Sequence, residues 1–338
     1  MRQSRSGSPK RRDRLKAWSI AGAAWLLLLW LAQNLVGERT GLTALLTYLP
    51  GHGWGALPLL CAALSLRAKR WRLALVNIGA LAFWLVAVMG LQLHRPGAGQ
   101  VRVVTYNVAM RTDDAPRYIA QIRRARPDII CLQEAQRSYP PARAGQSPVG
   151  KMIAAGFSGW HAQSAGDVMT ISRFPITQTR VFPLRLTRRT LATTVQTPRG
   201  DLRVLNTHIS TSVAGQTRSR GVLGRVAELS GNAGAAARAR LEQIAPLDAA
   251  LNADAKAPLV LCGDFNTPPR GLFYGALRAR LRDGFADAGF GLGQTFPSGA
   301  PLLRIDYVWT RGARAARVRV DEAGASDHRL VVADIALG

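Results

Sequence analysis

Along the last two-thirds of the chain, polar and ionisable residues recur where apolar runs end or begin. Asn107 follows VVTY, Glu134 follows IICLQ, His208 follows VLNT, and Asp264 and Asn266 follow LVLCG. Asp306 lies within RIDYVW, and Asp327-His328 stand just before the last apolar run. Carboxylates hold hard cations, imidazole moves protons near neutral pH, and carboxamides donate to anionic oxygens. Such a set suits metal-assisted or acid–base chemistry if one fold gathers it. Each ending alone is unremarkable, because a strand must end in something polar. Their recurrence carries the weight.

The apolar runs are the elements that must do the gathering. Val101 to Tyr106 is β-branched, Ala115 to Ala125 has a helical pattern, and Ile129 to Leu132 is a short buried run, the signature of βαβ entry into a sheet. Further strands are expected at Val168 to Ser172, Gln178 to Phe182, Leu191 to Thr197, Leu202 to Asn206, Leu259 to Cys262, Ile305 to Thr310, Ala315 to Val320 and Leu330 to Ile335. Pro198-Arg199-Gly200-Asp201 signals a hairpin turn. Between Thr211 and Lys256 the alanine-rich stretch from Ala233 to Leu251 reads as one helix, with a Gly/Ser-rich lead-in expected to be a surface loop. The candidate residues thus fall at strand ends, where α/β folds place ligands.

Taken in order, TYNVAM, LQEAQ, ISRFPI, LNTHIS, LCGDFNTPP, RIDYVW and SDHRLVVADI resemble the successive motifs of the endonuclease/exonuclease/phosphatase superfamily, the deoxyribonuclease-I-like fold. The resemblance covers nearly all of residues 101 to 338 and is most specific at Gly263-Asp264-Phe265-Asn266 and Ser326-Asp327-His328. It implies a four-layer α/β sandwich, two packed sheets flanked by helices. It also implies hydrolysis of phosphate esters with Mg²⁺ or Mn²⁺, hard cations that prefer oxygen donors. Glu134 is then the carboxylate ligand, with Asn107 beside it and Asp327 near enough to serve the metal or a second ion. Asp264 orients or deprotonates the attacking water, and Asn266 donates to a phosphate oxygen. His328 contacts the phosphate with Asp306 fixing its tautomer, and His208 is the second active-site histidine. His161, in GWHAQ, has no such context and is left out. Arg173 and Arg304 either reach the substrate or form ion pairs at the rim.

The formal net charge of +25 is spread over both the first hundred residues and the remainder. A basic domain attracts phosphate-rich partners, whether nucleic acid or anionic headgroups, without choosing between them. Arg188, Arg189, Arg218, Arg220 and Arg225 could form a nucleic-acid track or a solvated face, and no aromatics interleave with them to stack bases. The cysteines Cys61, Cys131 and Cys262 sit in apolar surroundings without metal-site spacing and read as free thiols, although Cys131 and Cys262 could be neighbours. No protein partner is evident.

The first hundred residues have a different character. Residues 17 to 36 carry no formal charge over a length that crosses about 30 Å of hydrocarbon as a helix. Two more apolar stretches run from about Leu42 to Leu66, interrupted by Pro50-Gly51-His52-Gly53, and from about Leu73 to Leu93. The expected organisation is a basic tail over 1–16, a membrane module of three transmembrane helices over 17–94, a linker over 95–100 and a catalytic domain over 101–338. Basic residues cluster before the first span and at Arg67, Lys69, Arg70 and Arg72, so the N-terminus is expected in the cytoplasm and the catalytic domain outside it. Three functional readings follow: an extracytoplasmic endonuclease-like phosphodiesterase; a lipid-headgroup phosphodiesterase or phosphatase, sphingomyelinase-like or phosphoinositide-like; and an inactive membrane scaffold.

Overall fold

The computed structural model describes residues 9–136, 148–185, 188–210, 221–254 and 257–338. The lead-in expected as a loop before the long helix falls on 211–220, outside the described residues. The elements in chain order are α1 (Pro9–Leu31), α2 (Gly41–Tyr48), α3 (Ala56–Arg67), α4 (Trp71–Phe83), β1 (Gln92–Leu93), β2 (Val101–Asn107), α5 (Ala115–Ala125), β3 (Ile129–Gln133) and α6 (Val149–Ala155). They continue with β4 (His161–Ala165), β5 (Val168–Ser172), β6 (Ile176–Pro183), β7 (Arg189–Thr197), β8 (Gly200–His208), α7 (Val222–Leu241), α8 (Ile244–Asn252) and β9 (Leu259–Asp264). The last are α9 (Gly271–Arg278), β10 (Arg282–Asp283), α10 (Gly284–Ala288), β11 (Phe290–Gly291), β12 (Asp306–Arg311), β13 (Ala313–Val320) and β14 (Val331–Leu337).

Two mixed six-stranded sheets form the domain, in the orders β13-β14-β2-β3-β5-β4 and β10-β12-β9-β8-β7-β6. Val103, Cys131, Val204, Cys262, Val308 and Val331 meet between them as the central core. Helices α5 and α6 cover the outer face of the first sheet, and α8 and α9 that of the second. The layers therefore run helix, sheet, sheet, helix, as expected. The structure also places α6 and β4 where no element was anticipated, and His161 lies on the exposed edge strand β4, away from the strand ends that matter. Cys131 and Cys262 are free thiols buried side by side in the central core, and burial pushes the Cys262 thiol well up.

In each sheet one neighbouring pair is parallel, β2 with β3 and β8 with β9, and the rest are antiparallel. A parallel pair needs a crossover, supplied by α5 in one case and by α7 and α8 in the other. The stretch from Ala233 to Leu251, expected as one helix, is divided at Glu242 and Gln243, because the buried Gln243 side chain turns to hold Ser210: Ser210 N donates to Gln243 Oε1 over 3.0 Å. Both parallel pairs point their C-terminal ends the same way, and both deliver polar residues there.

The N-terminal helices require one correction. Among the described residues two helical stretches, Arg14–Arg39 and Trp71–Val88, are long and apolar enough to cross a membrane, not three. Pro50 and the glycines around it break the middle stretch into α2 and the 12-residue α3, which spans only about 18 Å. α1 and α4 run parallel, since Asn77 Nδ2 donates to Ser19 Oγ and the Trp30 and Phe83 rings meet further along. α3 runs back between them, its start beside the later turns of α1, where the Trp54 and Trp25 rings meet tilted at 57° with centroids 5.7 Å apart. α2 leaves this bundle and packs on α7 of the sandwich. The linker expected over 95–100 is stitched to the domain by Gly97 N to Ala316 O and Gln100 N to Ile335 O.

Candidate active site

The strand register assembles the site. His208, Asp264 and Asp306 stand opposite one another in one row across β8, β9 and β12. Asn107 and Gln133 are paired at the end of β2 and β3, and Glu134 follows. β9 approaches β8 so closely that a Cβ on Gly263 (φ +145°) would sit 1.8 Å from Thr207 O, so the residue before Asp264 has to be glycine. Beneath the site, Gln133 Nε2 donates to Asn206 Oδ1 over 2.8 Å, a buried bond that joins the two sheets.

Asp264 lies at the centre. Its Oδ2 accepts from Asn107 Nδ2 at 3.0 Å and lies 3.5 Å from His208 Nε2 and 3.8 Å from His328 Nε2. Its Oδ1 accepts from Asn266 N at 2.9 Å. Burial raises the Asp264 pKa above the ordinary carboxylate value, and Asp306 adds to this while the two histidines oppose it. Asn107 is fixed by Ala109 N, which donates to its Oδ1, and its Nδ2 also faces Glu134 Oε1 at 3.3 Å. Glu134 and Asn266 both hold a left-handed backbone, φ +51° and +49°, at a cost of about 1–3 kcal/mol each. Strain of this kind persists where surroundings fix a residue for a purpose.

Each histidine is gripped by a carboxylate. His328 Nδ1 lies 2.9 Å from Asp306 Oδ2; burial lowers the His328 pKa, but Asp306 and Asp264 outweigh it and raise the value to about 10. Ser326 secures that loop by donating to Asn107 O and accepting from His328 N. His208 Nδ1 lies 2.7 Å from Asp167 Oδ2, and Arg188 also bonds this carboxylate. Burial raises the Asp167 pKa, but His208 and Arg188 more than reverse this and hold it below the usual range.

All of the expected residues except Asp327 thus converge. Asp327 is exposed; its Oδ1 accepts from the Ser326 hydroxyl at 3.3 Å, and its backbone oxygen accepts from Ser298 N. Asp167 and Arg188 are site residues that sequence reasoning did not find as such. Asp167 opens a strand instead of closing one, and Arg188 stands among arginines that read from sequence as a nucleic-acid track or a solvated face. Arg173 and Arg304 take the ion-pair alternative, with Asp128 and Asp283 respectively. Asn266 Nδ2 is spent on Ile209 O at 3.0 Å and lies 3.4 Å from His208 Nε2.

The donor set suits a divalent cation. Ligand atoms of Asp264, Asp306 and His328 lie within 4.8 Å of one another, and Glu134 adds a carboxylate that shares the Asn107 amide with Asp264. Asp167→Asn, which removes the negative charge from the His208 pair, is expected to lower kcat about 10–100-fold, measured as turnover of bis(p-nitrophenyl) phosphate by the folded protein.

Residues 104–328 match the Endonuclease/Exonuclease/phosphatase family. No curated protein matches the chain by sequence. Among solved structures, a family protein from Bacteroides thetaiotaomicron superposes with TM-score 0.54 at 17% identity, covering 72% of this chain and 100% of that one. One from Bacteroides vulgatus does so with TM-score 0.54 at 16%, covering 70% and 99%. The mannosyl-6-phosphatase of Bacteroides thetaiotaomicron gives TM-score 0.52 at 18%, covering 70% and 99%. At such identities these likenesses establish the fold.

Proposed function

Given that the chain belongs to the endonuclease/exonuclease/phosphatase family, we propose that it is a membrane-tethered, divalent-metal-dependent hydrolase of phosphate esters. The observation that carries this reading is Asp264, buried between two carboxylate-gripped histidines, the Asn107 carboxamide and the Asn266 backbone N–H. Asp264, its pKa lifted by burial, accepts a proton from the attacking water more readily than an ordinary carboxylate would. His328, held protonated by Asp306, donates to a phosphoryl oxygen, and His208 faces the same space from the other side. Asn107 keeps Glu134 and Asp264 in register. Glu134, Asp264 and Asn107 would hold the cation, with Asp306 and His328 alongside. Bound there, Mg²⁺ or Mn²⁺ supplies neutralising charge to the phosphate oxygens.

Tethering through Arg14–Arg39 and Trp71–Val88 is supported by the outward faces of the bundle, where Trp18, Leu28, Leu59, Trp71 and Leu75 are exposed. Lys16 near the start of α1 and Arg67 to Arg72 at the turn from α3 to α4 share one end of the bundle, opposite the end where Val88 meets Arg270 of the sandwich, which supports a cytoplasmic N-terminus and an extracytoplasmic domain. The site loop after β9 touches the end of the second span, where Arg270 bonds the carbonyl of Val88, and the end of α2, where it bonds that of Leu49. That proximity favours a membrane-lipid headgroup ester as substrate. Nucleic acid is the second reading, favoured by the net charge of +25.

The test is hydrolysis by the full-length protein in detergent of phospholipid vesicles, plasmid DNA, RNA and bis(p-nitrophenyl) phosphate. EDTA is expected to abolish turnover and Mg²⁺ or Mn²⁺ to restore it. Vesicle hydrolysis alone supports the lipid reading and plasmid nicking the nuclease. Metal-independent or absent turnover on every ester would leave the scaffold reading.

A further inference from the structure

We infer that the N-terminal helices are a positioning element of the active site, acting through Arg270, Tyr48 and Glu38 on the loops that carry Asn266 and His208. This rests on the hydrolase reading above and adds a role for the helices beyond tethering.

The chain leaves β9 through Asn266-Thr267-Pro268-Pro269-Arg270. Arg270 is buried and spends all three guanidinium nitrogens on the helical module: Nε donates to Thr47 O at 2.7 Å, Nη2 to Leu49 O at 2.8 Å and Nη1 to Val88 O at 3.2 Å. These are carbonyls at the C-terminal ends of α2 and of the second long helix, left without partners inside their own helices and carrying negative dipole ends. One cation therefore closes two helix ends and fixes the loop that starts at Asn266. Burial lowers its pKa to about 10, so it keeps its charge at neutral pH.

Tyr48, the last residue of α2, touches the loop after β9 directly and the segment after His208 through Arg240. Its hydroxyl donates to Glu38 Oε1 at 3.1 Å, lies 3.2 Å from Thr267 Oγ1 and accepts from Arg240 Nε at 3.0 Å. The Arg240 guanidinium also lies over the Tyr48 ring at 4.2 Å, and its Nη1 reaches Ser210 O, two residues beyond His208. Glu38 accepts from Leu272 N, and a Cβ on Gly271 (φ +85°) would sit 2.6 Å from its carboxylate oxygens. A flexible tether needs none of these buried, directional bonds. Asn266 already bonds Ile209 O, so the two loops share one geometry, and a shift of about 1 Å at such a site costs roughly 10²-fold in rate.

The experiment compares Arg270→Met, Arg270→Lys and Tyr48→Phe with wild type in detergent, with Mn²⁺ and soluble bis(p-nitrophenyl) phosphate, a substrate that needs no membrane. Arg270→Met is expected to lower kcat about 10–100-fold with KM within about twofold, and Arg270→Lys to recover part of it. Tyr48→Phe, which keeps the ring and removes one hydroxyl, is expected to lower kcat a few-fold. Hydrogen exchange over 265–272 and 208–210 is expected to quicken in each variant, a readout that needs no turnover. Wild-type kcat and unchanged exchange in folded Tyr48→Phe would overturn the inference while leaving the hydrolase standing. A wild type inactive on every ester would instead remove the hydrolase, and the exchange data would still decide the coupling.

Discussion

Replacing Asp264 with asparagine should lower kcat about 10³-fold or more while leaving the protein as stable as before, or more so. The amide keeps the shape, but its single oxygen can accept from only one of Asn107 Nδ2 and the Asn266 backbone N–H, which bond different oxygens of Asp264, and it cannot take a proton or hold a cation strongly. The carboxylate is buried, and burial together with Asp306 makes its charge costly. Removing a costly charge relaxes the fold, so activity and stability move in opposite directions. Calorimetry and steady-state turnover on one preparation check this. A variant that loses activity because it unfolds would reassign Asp264 to structure.

Arg304→Met should destabilise the domain by about 3–5 kcal/mol, because it strands a buried charge. Asp283 accepts from Arg304 Nη1 at 3.0 Å and Nη2 at 2.7 Å, and from Tyr274 Oη at 2.7 Å, with Arg304 over the Tyr307 ring at 4.6 Å. Burial raises the Asp283 pKa, but the charge and hydrogen bonds of Arg304 outweigh it and hold the value below the ordinary one. A carboxylate with a depressed folded pKa contributes its stability above the unfolded value, about 4, and loses it as pH falls through the folded value. The gap between wild type and variant should thus be full at pH 7 and shrink below about pH 4. Denaturant titrations at both pH values measure it, and a constant gap would show that the pair is not the source.

Much of this was legible in the residues. The strand-end positions could be read because β-branched runs announce strands and their polar ends are short. Helix α5 falls where the periodicity put it, at Ala115–Ala125. Asp167 could not be read the same way: it opens β5, an antiparallel strand, so its side chain reaches the site from the end that a strand-end rule ignores. Its signal was an acidic residue directly before the fully buried VMTIS. Arg188 looked like its exposed neighbours because a single charge does not reveal which partner waits in space. The break at Glu242 and Gln243 has no Gly or Pro to announce it; a tertiary bond to Ser210 makes it. The bridge from Arg270 to the helical module depends on carbonyls more than 180 residues away, and no local pattern encodes that.

The order of the first sheet carries a consequence for how the protein matures. β14, the last strand made, fills an interior position between β13 and β2, the first strand of the sandwich. Until it arrives, β2 has an open edge, the inter-sheet core lacks Val331 and Ala333, and the loop holding Ser326 and His328 has nothing to fold back on. A growing chain therefore cannot assemble the candidate site until β14 has been made. Truncation before Val331 is expected to leave β2 with an open edge and the candidate site unassembled, giving an aggregation-prone product.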